Sequence, residues 1–157
     1  MSFQIDADSP LRATAEEAAR QWTAALGIPV TATAEGEIPI FFTDQLSCPL
    51  PDDLPEGVRV GACAQGIGTH DARIEVPTDV PERYWLTNLL HEMGHHLRGL
   101  RPAPEGSPYE WLAGDHHDDP NGLLYGGRVP NTARITARDV AFVCELELAC
   151  QPPAGPS

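Results

Sequence analysis

Residues 82–98, ERYWLTNLLHEMGHHLR, place the strongest constraint on what this chain can become. Trp85, Leu86, Leu89, Leu90, Met93 and Leu97 recur at steps of three and four, which makes one apolar stripe on a helix that packs against a core. At ~100° per residue, His91 and His95 fall within roughly 40° of each other on the side away from that stripe, whereas His96 is turned about 100° from His95 toward it. The stretch HEMGH is therefore H-E-x-x-H on a helix. Two imidazoles four residues apart can grip one Zn²⁺, and a glutamate beside the first reaches a water held by the metal. Zinc lowers that water's pKa to ~7, so Glu92 can take its proton during attack on a carbonyl and pass it to a leaving amine. His91 and His95 are candidate ligands, Glu92 is the candidate general base, and His96 is a poor ligand candidate. The competing reading is a chance match on a surface helix, against which stands the orientation fixed independently by the apolar stripe. A catalytic zinc takes three protein ligands and keeps one position open, so a third ligand has to be found elsewhere.

The rest of the chain supplies a frame of α+β type. At 157 residues one domain is expected, over residues 1–150, followed by a disordered tail at 151–157 (QPPAGPS). Leu11, Ala15, Ala18, Ala19, Trp22, Ala25 and Leu26 predict a first helix over 11–26, with Ser9 and Pro10 at its start and Gly27 at its stop. Between 28 and 80 the pattern turns to β-rich runs, EIPIFFT, GVRVGACA and ARIEVP, separated by Pro, Gly and Asp, which predicts a small mixed sheet. Ser107 and Glu110 form an S-x-x-E capping box for a short helix over 108–113. Thr136 and Asp139 resemble another, with Ile135 placed to staple onto Val140 at the head of a last helix.

Beyond the HEMGH helix stands DHHDDPNGLLY, Asp115 to Tyr125. Together with HEMGH it resembles the matrix metalloproteinases and their bacterial matrixin relatives, in the metzincin clan of zinc proteases. In that family a third ligand His is followed by a short polar turn, a D-P, and a small-Leu-Met-Tyr segment, the Met-turn, under the zinc. The match runs from His116 through Asp119-Pro120 to Gly122-Leu123-Leu124-Tyr125 and on into RITARDVAFV, which is similar to the family's last helix. Specific motifs lie in residues 91–143, while the order of helix, sheet and active-site helix fits in outline. The resemblance implies a zincin fold with an upper subdomain of about residues 1–99 and a lower one of about 100–150. It also implies zinc held by His91, His95 and His116, Glu92 as base, and a peptide or protein substrate cleaved as by a zinc endopeptidase.

Two departures stand out. Arg98 and Arg101 occupy the positions of the family's helix-ending Gly and third His, so the third ligand is deferred past an insert of about fifteen residues, a length whose closure cost is small. Leu124 replaces the Met of the Met-turn, a nearly volume-conserving exchange at a position that supports the site without ligating the metal. Glu110 is the rival third ligand, as in a gluzincin-type peptidase, with Asp115 and His117 as weaker ones. A non-catalytic zinc-binding interaction module and a metal-dependent amidase are the alternative functions.

Composition excludes some partners. With 23 Asp and Glu against 10 Lys and Arg, the net charge of −13 repels nucleic acid and anionic membranes, so neither is expected as a partner. No stretch approaches the ~18 apolar residues of a membrane span, and the first residues carry no basic region followed by an apolar run. A monomer is expected. Cys48, Cys63, Cys144 and Cys150 lack C-x-x-C spacing, and the two local pairs, Cys48 with Cys63 and Cys144 with Cys150, are the favoured disulfides over four free thiols. If bridged, they imply work outside the reducing cytosol, in an extracellular or periplasmic setting. The run CPLPD at 48–52 is similar to part of the matrix metalloproteinase cysteine switch, although a disulfide is the favoured use of Cys48. The strand near Val58–Ala64 is a candidate edge strand for pairing with an extended peptide.

Overall fold

The computed structural model describes residues 1–48, 59–99, 116–125, 134–145 and 150. Its elements follow in the order β1 (Ser2–Gln4), α1 (Arg12–Leu26), β2 (Thr31–Thr33), β3 (Ile38–Thr43), β4 (Cys63–Gln65) and β5 (Arg73–Pro77), then a 3₁₀ turn (Glu82–Tyr84), α2 (Trp85–Arg98) and α3 (Ala137–Cys144). The expected helix at 108–113 and the tail lie outside the described residues.

The five strands form one mixed sheet in the order β2-β1-β3-β5-β4. All neighbours are parallel except β4, which runs antiparallel to β5 at the sheet's end. Period-2 alternation decides which face is buried. Phe3, Ala32, Ile38, Ile40, Ile74 and Val76 point into the core, while Ser2, Gln4, Thr31, Thr33 and Phe41 do not. Sequence patterning confined the sheet to residues 28–80, yet Ser2–Gln4 sits inside it, between β2 and β3. Three residues are too short for alternation to register, and only pairing with both neighbours reveals the strand.

Helix α1 buries the predicted stripe, Ala15, Ala18, Ala19, Trp22 and Leu26, and Gly27 ends it in the left-handed region at φ 70° with its N–H on the Thr23 carbonyl. Its start differs from expectation. The helix begins at Arg12 with Leu11 as N-cap, because Ser9 and Pro10 belong to a preceding turn in which the Ser9 carbonyl accepts from Arg12 N–H at 3.1 Å. Trp22 then fixes α1 to α2 by donating its indole N–H to the Leu90 carbonyl at 2.9 Å.

Helix α2 stops where the resemblance placed its turn, but by another residue. Gly99, at φ 74°, caps it with an N–H bond to the His95 carbonyl. Arg98 is buried and docks α2 on α3, its guanidinium donating to the Phe142 carbonyl at 2.7 Å and lying over the Phe142 ring. At the head of α3 the predicted capping box of Thr136 and Asp139 is formed in both directions. Ile135 and Val140 both pack against the core beside it. Both expected disulfides are present: Cys48–Cys63 ties the segment after β3 to β4, and Cys144–Cys150 closes the end of α3.

Candidate metal centre

The outer face of α2 is not a surface. His91, Glu92 and His95 are all buried, so HEMGH does not lie on an exposed helix face. Residues 116–125 lie over this face, and their packing needs the glycine inside the motif. A Cβ at Gly94 would stand 2.8 Å from a Leu124 methyl and 2.9 Å from the Trp22 ring, closer than real Cβ contacts. Leu124 is fully buried and packs against α2 at Gly94.

Three imidazoles converge there. The Nε2 atoms of His95 and His116 lie 3.0 and 3.2 Å from that of His91, and all three candidate ligand atoms fall within 4.8 Å of one another. For a tetrahedral zinc with Zn–N distances of ~2.0–2.1 Å, ligand nitrogens stand ~3.3–3.4 Å apart. The three histidines thus lie close enough to bind one metal ion. Nδ1 of His91 donates to the Leu123 carbonyl at 2.7 Å, the outer contact that fixes a metal-binding tautomer by leaving Nε2 unprotonated. His95 Nδ1 is buried without a partner among the described residues, so nothing there competes for its tautomer.

Electrostatics prepares the same atoms. Burial, followed by the nearby His116, pushes the His91 imidazole down to about 4, against a smaller opposite pull from the Leu123 hydrogen bond. Burial and then His91 and His116 push His95 well below its ordinary value. Both are therefore neutral at neutral pH, as metal binding requires. Burial raises the neighbouring Glu92 carboxyl to about 8, opposed in part by the Ala64 N–H, which donates to it at 2.7 Å. Ala64 belongs to β4, so the strand next to the Cys48–Cys63 bridge also holds the candidate base.

Other candidates are directed elsewhere. His96 is buried with Nε2 3.2 Å from the Arg73 carbonyl, in keeping with its rotation away from the pair. His117, a weaker ligand candidate by sequence, is turned from the cluster: its Nε2 lies 2.8 Å from Asp139 Oδ1. Cys48 is bound to Cys63, so it carries no free thiolate for a switch. Glu110 and Asp115 lie outside the described residues.

Sequence reasoning saw Asp139 only as a capping residue. Its carboxylate also accepts from Leu124 N–H at 2.7 Å, while Thr136 donates from N–H at 2.7 Å and Oγ1 at 2.6 Å. Burial alone would raise this carboxyl, but the hydrogen bonds from Thr136, Leu124 and His117 outweigh it and hold it below the usual aspartate value. No signal in the sequence marks the link to Leu124, since it joins residues that only the fold brings together. Beside His116 a groove of about 480 Å³ opens between the 116–118 turn and α3, with Arg138, Ala141, Phe142 and Glu145 on its far wall.

No protein-family model matches the chain, and no curated protein matches it significantly in sequence. The functional reading rests on the geometry above.

Proposed function

We propose that the protein is a zinc-dependent endopeptidase of metzincin type in which His91, His95 and His116 hold the metal and Glu92 is the general base. The observation that carries this reading is the convergence of three imidazoles beside a buried carboxyl group. A zinc ion bound there would acidify a water to a pKa of ~7, polarise a substrate carbonyl and, by its charge, favour the ionised form of Glu92. The donor set fits such an ion: three nitrogens and no thiolate, with no fourth protein ligand grouped with them among the described residues.

The chain's own part follows from position. Glu92 follows the first ligand in sequence and is held by Ala64 N–H through Oε2. That carboxylate takes the proton of the attacking water and returns it to the leaving amine. A zinc with a purely structural role would call for a fourth protein ligand and no base, and burying a carboxyl against one backbone N–H is costly without such a task. Strand β4 is last in the sheet order with no further strand beside it among the described residues, a position suited to pairing with an extended peptide. The two disulfides support an oxidising extracellular or periplasmic setting.

The test is a mixed peptide library incubated with the purified zinc-loaded protein and read by mass spectrometry. Internal peptide-bond cleavage is expected, abolished by a zinc chelator and restored by added Zn²⁺. A zinc-loaded protein that leaves every peptide intact would turn the reading toward a binding module or an amidase.

A further inference from the structure

His117 follows a candidate ligand directly, yet its ring is fully buried and takes no part in the cluster. Both ring nitrogens are engaged. Nδ1 accepts from Asp119 N–H at 3.2 Å, so Nε2 carries the proton and donates to Asp139 Oδ1 at 2.8 Å. The backbone is tied as well: His117 N–H donates to the Leu124 carbonyl at 3.0 Å, in a bridge that pairs His117 with Tyr125. Room for the ring depends on Gly122, where a Cβ would come within 2.1 Å of His117 Cε1, and the ring meets Phe142 of α3 edge-on.

We infer that His117 is a positioning residue of the metal centre, coupling His116 and His91 to the rigid head of α3 through Asp139. This rests on the metal-centre reading above. Asp139 is fixed by the two donors of Thr136, its N-cap, and it holds two points of the overlying segment at once: the His117 ring and the Leu124 N–H. The first point fixes the backbone that carries His116. The second fixes the peptide following Leu123, whose carbonyl orients the His91 imidazole at 2.7 Å. One carboxylate thus sets the placement of one ligand and the tautomer of another, and His117 is the arm that reaches the ligand turn. Without this arm Asp139 still keeps three donors, so losing the His117 ring disturbs the ligands more than it disturbs the carboxylate.

The experiment titrates the full-length protein with Co²⁺ and Zn²⁺ against a competing chelator, for the wild type, His117→Ala and His117→Gln, and follows thermal unfolding of each metal-free form. The glutamine amide retains a donor close to the position of Nε2. Expected are a roughly 10–100-fold loss of affinity in His117→Ala, the range found when outer partners of metal ligands are removed, with an altered cobalt d–d spectrum, and wild-type behaviour in His117→Gln. A merely structural role would shift the unfolding temperature and leave the affinity and the spectrum of the folded protein unchanged, which overturns the inference. If His117→Ala does not fold, His117→Gln decides, and a tenfold loss there overturns it too. A wild type that takes up neither metal removes the centre itself, whereas a wild type that binds tightly alongside an equally tight His117→Ala removes only the role of His117.

Discussion

Glu92→Ala is expected to keep full zinc occupancy and to lose peptide hydrolysis by roughly 10²- to 10⁴-fold, the span that proton transfer by a positioned side chain contributes. The expectation follows from where the side chain stands. Glu92 is buried beside the first ligand, but it is not one of the three converging donors, so its removal leaves the metal-binding atoms in place. It accepts a hydrogen bond from Ala64 N–H, and a shorter residue breaks that contact as well as the proton relay. Glu92→Gln separates the two effects. The amide oxygen can still accept from Ala64 and fill the same space, yet it cannot take a proton, so it should be as inactive as the alanine variant while remaining nearer to wild-type stability. Hydrolysis of a fluorogenic peptide, measured with zinc content on the same samples, checks both. Activity of either variant at the wild-type rate would sink the assignment of the base.

His116→Ala has the other large expected effect, on metal retention. Two histidines on one helix remain in that variant, and the third nitrogen, 3.2 Å from His91 Nε2, is gone. Loss of a direct ligand should exceed the roughly 10–100-fold weakening typical of outer contacts, leaving little zinc after dialysis against a weak chelator. His96→Ala is the matched control. It removes a buried histidine from the same helix, but one whose Nε2 faces the Arg73 carbonyl, so zinc content should be unchanged while stability falls. Elemental analysis of the two variants side by side distinguishes these outcomes. Full zinc in His116→Ala would transfer the third ligand to Glu110 or Asp115.

Much of this arrangement was legible in the sequence because it is local. The stripes of α1 and α2 obey helical spacing, the separation of His96 from His91 and His95 follows from the angle per residue, and the Thr136 box needs only its own four residues. The turn bearing His116 is legible only by resemblance, since no periodicity connects it to α2, which ends at Arg98. What escaped depends on contacts between distant segments. β1 is a strand only because β2 and β3 flank it, and the histidine face of α2 is buried with help from segments distant in sequence, β4 and residues 116–125 among them. Asp139 reads as a helix cap, and nothing in its neighbourhood announces the bonds to His117 and Leu124. Gly94 could pass for an indifferent position inside the motif, although the approach of Leu124 and Trp22 requires it. Arg98 stands at the family's turn position without turning, whereas Gly99, one residue on, ends the helix.

The most direct measurement of the central claim is a crystal structure of the zinc-loaded protein with an anomalous difference map collected at the zinc edge. The account predicts one strong peak at ~2.0–2.1 Å from Nε2 of His91, His95 and His116, with the fourth position taken by solvent and Glu92 beside it. A peak elsewhere, or a fourth protein ligand closing the site, would contradict it.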